Sequence, residues 1–435
     1  MSLETLLGRE RAVPAARAVS GSVRAPGDKS ISHRAALFNA LGHGQATITG
    51  FSSGADCGST LQCLRDLGIA VSHDGDRLRI VGRGLRGFQE PSNVLDCGNS
   101  GTTMRLLSGV LAGSGVYAVL SGDGSLRRRP MARVVEPLRK AGAKIDGRDG
   151  GRLAPLSISS VPNLHGVEHR LSVASAQVKS ALLLAGLFGD APTVVVEPAQ
   201  TRDHTERLLR AMGGRLEQDA LRSTIAPSDL ECTDVEVPGD FSSAAYWLVL
   251  GVLHAHAEVR INDVGLNPSR TGLLTVLERM GANISVEHER DVAGEPVADL
   301  VATSSQLHGT TISGALVPLT IDELPLVALL GLFAEGETIV QDAHELRAKE
   351  SDRLAVTADG LRTLGGAIEA TDDGWRIAGG SGLHGGAVEA HDDHRMAMLF
   401  AVAGALGEGA AIAGADSVAI SYPGFWDDLQ RLTAA

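Results

Sequence analysis

The sequence contains few cysteines and few aromatic residues, and it has no long apolar run. Its 435 residues include four cysteines, none in a C-x-x-C pair, so neither a disulfide framework nor a clustered zinc or redox site is indicated. Aromatic residues make up 3% of the chain, whereas 53 residues are glycine, which favours close packing and many tight turns. No apolar run reaches the roughly 18 residues of a membrane span, and the first residues lack the apolar core of a signal peptide. The sequence therefore predicts a cytoplasmic protein without a membrane segment.

An excess of basic residues is also missing. The chain carries 39 Lys and Arg against 52 Asp and Glu, a net charge of −13, and this argues against a nucleic-acid partner. Its length exceeds that of one core and predicts two domains of roughly 200 residues each. A hydrophobic content of 43% is enough to fill two large cores.

One nonapeptide occurs twice in altered form. Residues 26–34, PGDKSISHR, return at residues 238–246 as PGDFSSAAY. The shared positions predict a Pro-Gly turn that begins a helix, with Ser or Asp near its cap. In the second copy, Phe241 replaces Lys29 and Tyr246 replaces Arg34. Two cations beside the free N–H groups of a helix start indicate an anion site in the first copy.

A shorter repeat runs through the whole chain. Its copies have the form Leu-x-x-x-Gly, at residues 64–71, 138–145, 209–216, 277–284 and 361–368, with a truncated sixth at 429–432. Each copy predicts an amphipathic helix that ends at a left-handed Gly and is followed by strands. Three units per half predict two related α/β domains, residues 24–237 and residues 1–23 plus 238–435, with a hinge at the Pro-Gly-Asp segments and the ligand in the cleft.

Several predicted helix starts collect cations and polar donors. They contain Asn99, Gly101, Thr102, Arg105, Arg129, Ser175, Ala176, Gln177, Lys179, Arg202, Lys349, Arg353 and Arg395. Pro130 is predicted to be the first helical residue after Arg129. Arg suits bidentate binding of carboxylate and phosphate, so these clusters in an acidic chain predict strongly anionic substrates.

Two acids lie near the cation clusters and are candidates for an acid/base pair. Asp322 precedes a long apolar helix together with Glu323, and the alternative for both is a plain helix cap. Glu350 belongs to the mixed-charge segment 347–353; if this segment is helical, Lys349 and Arg353 share a face, and the alternative is a surface lattice of ion pairs.

Two other motifs do not indicate a cofactor. Residues 82–87 match G-x-G-x-x-G, but no helix is predicted after them and no acid follows at the spacing of a dinucleotide site. His391 and His394, with two acids between them, could ligate zinc, but a third strong ligand is not apparent. The sequence therefore predicts neither a metal nor an organic cofactor.

Taken together, the segments resemble the 5-enolpyruvylshikimate-3-phosphate synthases (3-phosphoshikimate 1-carboxyvinyltransferases) over nearly the whole chain. The motifs, in the family's order, are PGDKSISHR, GNSGTTMR, RRRPM, SAQVKSALLLAG, TRDHTE, LRAKESDRL and DHRMAM. The resemblance implies an α/β fold of two inside-out domains, each of three βαβαββ repeats, with the active site in the interdomain cleft. It implies transfer of the enolpyruvyl group of phosphoenolpyruvate to the 5-hydroxyl of 3-phosphoshikimate, in the pathway to chorismate, by a monomer that needs no metal or cofactor.

The resemblance also implies roles for individual residues. Those implied for 3-phosphoshikimate are Lys29, Ser30, Arg34, Ser175, Ala176, Gln177, Arg202, Asp322 and Lys349. Those implied for phosphoenolpyruvate are Lys29, Asn99, Gly101, Thr102, Arg129, Gln177, Glu350, Arg353 and Arg395. Asp322 would take the proton of the attacking hydroxyl, Glu350 would exchange the proton at the methylene carbon, and Lys29 would neutralise charge and assist proton transfer.

The chain departs from the family pattern in places, and two alternatives stay open. Ile420 stands where many members have a Lys, and Ala176 and Arg202 follow a second class that includes glyphosate-tolerant enzymes. UDP-N-acetylglucosamine enolpyruvyl transferases share the fold but usually carry a reactive Cys in the loop before Arg-Pro, and residues 122–129 contain none. A catalytically silent, anion-binding repeat scaffold is the second alternative.

Overall fold

The structure, a computed structural model, describes residues 10–292 and 294–434, which form two compact units. The first unit comprises residues 27–237 together with 292 and 294–295. The second unit comprises residues 10–26, 238–291 and 296–434. Residues 1–9 of the predicted second domain lie outside the described residues. Strands β1 (Glu10–Val13) and β2 (Val19–Arg24) precede the first unit in the chain and belong to the second.

The first unit alternates helices and short strands. Its helices are α1 (Lys29–Leu41), α2 (Ala55–Asp66), α3 (Gly101–Leu111), α4 (Ala132–Lys140), α5 (Ala176–Gly186) and α6 (His204–Ala211). Its strands are β3 (Gly42–Thr49), β4 (Ala70–Asp74), β5 (Arg77–Arg83), β6 (Leu95–Asp96), β7 (Tyr117–Ser121), β8 (Lys144–Arg148), β9 (Leu153–Ser159), β10 (Glu168–Arg170), β11 (Thr193–Val196), β12 (Leu216–Asp219), β13 (Arg222–Ile225), β14 (Leu230–Glu231) and β15 (Val235–Glu236). Short 3-10 helices lie at Leu126–Arg128 and Asp149–Gly151.

The remaining elements follow the same alternation. The helices are α7 (Phe241–Leu253), α8 (Gly272–Met280), α9 (Leu316–Thr320), α10 (Leu324–Phe333), α11 (Arg353–Thr363), α12 (His394–Leu406) and α13 (Phe425–Thr433). The strands are β16 (Ala257–Gly265), β17 (Asn283–Val292), β18 (Glu295–Thr303), β19 (Thr311–Ile312), β20 (Glu337–Val340), β21 (Ile368–Ala370), β22 (Trp375–Ala378), β23 (Gly386–Glu389) and β24 (Ala410–Ala413). Two 3-10 helices lie at His344–Ala348 and Ala415–Ile420.

The described residues form six small sheets. In the first unit the strand orders are β14-β3-β5-β4 (with β15 also on β3), β6-β7-β9-β8 and β10-β11-β13-β12. In each of these the first pair is parallel and the next two pairs are antiparallel. The other orders are β2-β16-β18-β17, β19-β20-β22-β21 and β23-β24-β1. The N-terminal strands thus complete two sheets of the second unit, since β2 pairs with β16 and β1 with β24.

Helices fill the interior of each unit. Every residue of α10 from Leu324 to Leu332 is buried, as is every residue of α1 from Ile31 to Leu41. In α10 apolar and small residues all round allow this burial. In α1 the buried polar side chains are hydrogen-bonded, as Arg34 is to Thr205 and Asn39 to the carbonyl of Ala35. Along β5 the residues alternate, with Leu78 and Ile80 buried and their neighbours exposed or half-buried. One face of this sheet therefore meets the core and the other faces solvent.

The five full copies of the short repeat end their helices in the same way. The glycine of each copy has a positive φ, at Gly68 (82°), Gly142 (90°), Gly213 (85°), Gly281 (85°) and Gly365 (90°). In each copy the glycine N–H donates to the carbonyl three residues back, and the next N–H donates to the carbonyl five residues back. These are the two hydrogen bonds of a Schellman motif. The prediction of left-handed glycines at the helix ends is confirmed.

Candidate active site

The first Pro-Gly-Asp segment places Lys29 at the start of α1. Asp28 Oδ1 accepts a hydrogen bond of 2.8 Å from the backbone N–H of Ile31, so Asp28 caps the helix as predicted. Lys29 Nζ lies 3.0 Å from Asp56 Oδ2, on the first turn of α2. The lysine is therefore held at a helix N-terminus, where free N–H groups favour anions, by an acid that the sequence analysis did not identify.

Arg34 lies one turn further along α1 and is buried. Its Nε donates to Thr205 Oγ1 at 2.7 Å, its Nη2 to Ser180 Oγ at 2.8 Å and its Nη1 to the carbonyl of Ser30 at 2.8 Å. Arg202 Nη1 lies 3.5 Å from Ser30 Oγ. The structure thus brings Ser30, Arg34 and Arg202 together, with α5 and α6 supplying the hydroxyls that orient Arg34.

A second group of site residues surrounds the start of α3. Ser100 caps this helix by accepting from the N–H of Thr103 at 3.1 Å, and Gly101 is its first residue. Asn99 Oδ1 accepts from Arg129 Nη2 at 2.5 Å, while Asn99 Nδ2 donates to Asp123 Oδ2 at 2.6 Å. Because Asp123 can only accept when ionised, it fixes the orientation of the Asn99 amide and so directs the Asn99 oxygen at Arg129.

Gln177 joins this group from α5. Its Oε1 accepts from Arg105 Nη1 at 2.5 Å and its Nε2 donates to Thr102 Oγ1 at 2.9 Å. A Cβ atom added at Gly101 would lie 2.7 Å from Arg105 Nη1 and 3.4 Å from Arg129 Nη1, so both guanidinium groups lie over the helix start. The absence of a side chain at Gly101 keeps this approach open.

Pro130 precedes Met131, the cap of α4, so the prediction that Pro130 is the first helical residue is wrong.

In the second unit, four cations surround Asp322. Its Oδ1 lies 3.3 Å from Lys349 Nζ and 3.5 Å from Arg353 Nη1. Its Oδ2 lies 3.7 Å from Arg395 Nη2 and 3.9 Å from Arg270 Nη1. The carboxylate is buried, and such a charge is stable only with compensation of this kind.

Arg353 connects Asp322 to two further acids. Its Nη2 donates to Glu350 Oε2 at 2.7 Å, and its Nε donates to Asp393 Oδ2 at 2.8 Å. The Arg353 side chain is 1% exposed and Asp393 is fully buried, whereas Glu350 is 21% exposed. Burial alone would raise the pKa of Asp393, but the charge and hydrogen bonds of Arg353 outweigh it and hold that pKa below its usual value. Asp393 therefore fixes Arg353, while Glu350 retains access to solvent.

The segment 347–353 is not one helix. A 3-10 helix ends at Ala348, and α11 begins only at Arg353, because Asp352 caps it by accepting from the N–H of Ala355 at 3.1 Å. The helical spacing considered for Lys349 and Arg353 is therefore wrong. Both side chains nevertheless reach Asp322 from the extended connection and the helix start. The surface-lattice alternative does not fit either, since Arg353 is buried.

Sequence reasoning missed the residues behind Asp322. Arg270 Nη2 donates to Ser242 Oγ at 2.9 Å and to Asp240 Oδ1 at 3.2 Å, which links the second Pro-Gly-Asp segment to the acid cluster. Ser242 Oγ also contacts Glu323, whose pKa burial raises despite the charge of Arg270. Glu323 makes no side-chain cap bond to α10, so the cap interpretation fails for this residue. No local signal marks Arg270, because its partners lie 28 and more residues away in sequence.

Two absences concern only the part of the chain that the structure describes. Over residues 10–292 and 294–434, no group of three or more His, Cys, Asp or Glu is arranged to hold a metal ion. Over the same residues, no helix is long and apolar enough to cross a membrane.

A mixed α/β chain in which buried cations surround carboxylates is suited to a transferase with anionic substrates. Comparison with known proteins identifies the family. The profile described as EPSP synthase (3-phosphoshikimate 1-carboxyvinyltransferase) matches residues 13–429. The chain belongs to the EPSP synthase family, and its fold is the mixed α/β fold of that family with several small mixed sheets.

Curated relatives match the chain almost end to end. The 3-phosphoshikimate 1-carboxyvinyltransferase of Herpetosiphon aurantiacus is 51% identical over 98% of this chain and 100% of its own length. The enzyme of Roseiflexus castenholzii is 51% identical over 96% of this chain and 98% of its own length. The enzyme of Bacillus cereus is 46% identical over 98% of this chain and 100% of its own length.

Solved structures agree with this assignment. EPSP synthase from Acinetobacter baumannii superposes with a TM-score of 0.87 at 40% identity, covering 98% of both chains. The enolpyruvyl transferase NikO from Streptomyces tendae reaches a TM-score of 0.78 over 98% of this chain and 97% of its own, but at 18% identity it supports the fold alone.

Proposed function

We propose that this chain transfers the enolpyruvyl group of phosphoenolpyruvate to the 5-hydroxyl of 3-phosphoshikimate and releases phosphate, as a 3-phosphoshikimate 1-carboxyvinyltransferase of the shikimate pathway. The observation that carries the proposal is the carboxylate of Asp322 among Lys349, Arg353 and Arg395, in a chain that is 51% identical to a curated enzyme over its full length. Both substrates are phosphorylated carboxylic acids, so binding them needs several cations near the reacting atoms.

The two acids act on different atoms in this proposal. Asp322 takes the proton of the 5-hydroxyl while the hydroxyl oxygen bonds to C2 of phosphoenolpyruvate. Glu350 donates a proton to the methylene carbon. The product of this addition is a tetrahedral ketal. Glu350 then removes a proton from the new methyl group as the bond from C2 to the phosphate oxygen breaks. The link of both acids to one guanidinium, that of Arg353, supports the pairing.

The first unit supplies the binding groups in this proposal. Lys29 neutralises charge at the start of α1, and Ser30, Arg34 and Arg202 recognise 3-phosphoshikimate with the first turn of α5. Asn99, Gly101, Thr102, Arg129 and Gln177 recognise phosphoenolpyruvate at the start of α3. The support is that each of these two sets lies together, around a helix N-terminus.

The two units correspond, in our proposal, to two inside-out domains of three βαβαββ repeats each, with boundaries near residues 23 and 237. The shared sheet orders and the five Schellman motifs support the repeats. We propose that 3-phosphoshikimate closes the domains upon each other, because its proposed ligands include Lys29 in one unit and Lys349 in the other. Small-angle scattering should then show a smaller radius of gyration with ligand, and an unchanged radius would contradict closure.

The decisive test of function is phosphate release. Purified protein should release phosphate from phosphoenolpyruvate with 3-phosphoshikimate as acceptor and not with UDP-N-acetylglucosamine. Release with the nucleotide sugar alone would support the sister activity, and release with neither would support a silent scaffold. We also propose that the enzyme is cytoplasmic and belongs to the family's second class. It should keep full activity in the presence of a chelator, and it should elute as a monomer in gel filtration.

A further inference from the structure

A buried lysine in the first unit contacts two buried glutamates. Lys179 Nζ lies 2.7 Å from Glu197 Oε2 and 2.7 Å from Glu206 Oε1. The exposed fractions of the three side chains are 1%, 4% and 0%. Burying three ionisable groups costs free energy that an apolar cluster would not, so such a triad calls for an explanation other than stability.

The triad connects two segments that carry site residues. Lys179 lies on α5, four residues after Ser175, the cap of that helix. Glu197 directly follows β11, and Glu206 lies in the first turn of α6. The two glutamates thus enclose residues 198–205, and the part before α6, residues 198–203, includes Arg202. Both ends of the Arg202 loop are therefore tied to the helix whose first turn contains Ser175, Ala176 and Gln177.

Neighbouring contacts extend the same connection. Thr201 Oγ1 donates to Glu197, and Ser180 Oγ pairs with Thr205 Oγ1 at 2.7 Å. Ser223 Oγ donates to Glu206 Oε1 at 3.3 Å. Burial raises the pKa of Glu197, which fits two carboxyl groups that share one ammonium. The Thr201 bond holds the loop against its own first residue, and the other two bonds join α6, at the end of the loop, to α5 and β13.

A loop that is held at both ends loses less conformational entropy when it binds a ligand. We infer that Lys179, Glu197 and Glu206 are positioning residues that hold Arg202 in register with Ser175, Ala176 and Gln177 for 3-phosphoshikimate. The identity of the ligand in this inference rests on the proposed function. The attachment of the Arg202 loop to α5 rests on the buried contacts of the triad alone. The triad touches no substrate in this scheme and acts only through Arg202 and the first turn of α5.

The test uses two variants of the whole chain. In the first, K179M/E197L/E206L, apolar side chains of similar volume replace the triad, a kind of change that folded proteins often tolerate without loss of stability. In the second, E206Q, the carboxylate of Glu197 still balances the charge of Lys179, and the amide oxygen at position 206 can still accept from it, so the ties persist. Thermal unfolding is measured first, to show that both variants fold cooperatively.

The expected result is a separation of affinity from turnover. We expect the apolar variant to raise the KM and the calorimetric Kd for 3-phosphoshikimate about tenfold, equivalent to about 1.4 kcal/mol, with kcat within about threefold of wild type. The amide variant should stay near wild type in both. Unchanged affinity in the apolar variant, or equal losses in both variants, would overturn the positioning role.

Limited trypsin digestion tests the tie without any substrate. Cleavage after Arg202 should be faster in the apolar variant than in wild type and in the amide variant, because the loop is no longer fixed at both ends. Equal cleavage rates in all three proteins would overturn the tie. An inactive wild type would contradict the proposed function instead, and the digestion would still decide whether the triad fixes the loop.

Discussion

The two Pro-Gly-Asp segments adopt the same helix start but serve their sites differently. Asp28 caps α1 by accepting from Ile31 N–H at 2.8 Å, and Asp240 caps α7 by accepting from Ser243 N–H at 3.2 Å. The next residue is Lys29 in the first unit, paired with Asp56, and Phe241 in the second, buried in the core. The turn is scaffold in both, and only the first copy presents a cation from its own helix.

The second copy obtains its cation from a neighbouring segment. Arg270, two residues before α8, donates to Asp240 and Ser242 and lies 3.9 Å from Asp322. The first unit therefore surrounds its site with Lys, Arg, hydroxyl and amide groups, whereas the second places carboxylates among arginines. This difference suggests binding as the main task of the first unit and proton transfer as that of the second. The following changes test that division.

The largest effect is expected for the acids of the second unit. Asp322→Asn and Glu350→Gln should each lower turnover about 10²–10⁴-fold with modest loss of substrate binding, because each removes a proton-transfer group and keeps the size of the side chain. Phosphate release at saturating substrates measures this. Glu369→Gln, at an exposed position of β21, is the matched control. Near-normal turnover in either site variant would end the acid/base assignment.

A large loss of stability is expected for Asp393→Asn. The change leaves the buried guanidinium of Arg353 without its strongest partner, and breaking such a pair costs about 3–5 kcal/mol. The pKa of Asp393 is lower in the folded chain than in the unfolded one. The carboxylate therefore contributes its full share to the free energy of unfolding above the pKa of the unfolded state, and this share disappears as the pH falls through the pKa of the folded state. In urea unfolding, the difference in the free energy of unfolding between wild type and variant should become smaller below about pH 4. A gap independent of pH would contradict this account.

A moderate effect is expected for Gly101→Ala in the first unit. The added methyl would lie 2.7 Å from Arg105 Nη1 and 3.4 Å from Arg129 Nη1, so at least one guanidinium must shift. Glyphosate, as an analogue of phosphoenolpyruvate, should inhibit the wild type competitively, and the variant should bind it more weakly by about 1–3 kcal/mol. Inhibition constants of both proteins measure this. If glyphosate inhibits the wild type as weakly as the variant, Gly101 does not decide the tolerance, and Ile420, which stands where many members have a Lys, becomes the better explanation.

The smallest effect is expected for the cysteines. Burial raises the pKa of Cys57 and of Cys232, and a hydrogen bond with Cys63 together with burial raises that of Cys97, so little thiolate is present at neutral pH. A thiol reagent at pH 7 should therefore leave phosphate release unchanged, while the unfolded chain should label at all four cysteines. Rapid inactivation would contradict this account of the four thiols.

The sequence by itself determined the features that depend on near neighbours. The sequence predicts Ser or Asp near the caps of the two Pro-Gly-Asp helices, where Asp28 and Asp240 lie, and it predicts the glycines of the five repeats in the left-handed region. Both hold because capping bonds and the steric freedom of glycine act within a few residues of the chain. The motifs also placed the candidate cations and acids correctly at or near the starts of helices, apart from the position of Pro130 and the helical spacing of segment 347–353.

Tertiary structure alone decided which charges meet. Lys29 and Asp56 are 27 residues apart, Arg353 and Asp393 are 40 apart, and Arg270 reaches Asp322 from another segment. The triad of Lys179 likewise joins three separate elements. A side chain several bonds long can reach many partners, and its choice depends on which helices the core packs side by side. Because that packing follows from the summed burial of apolar residues and not from any local pattern, the pairings could not be predicted from the sequence.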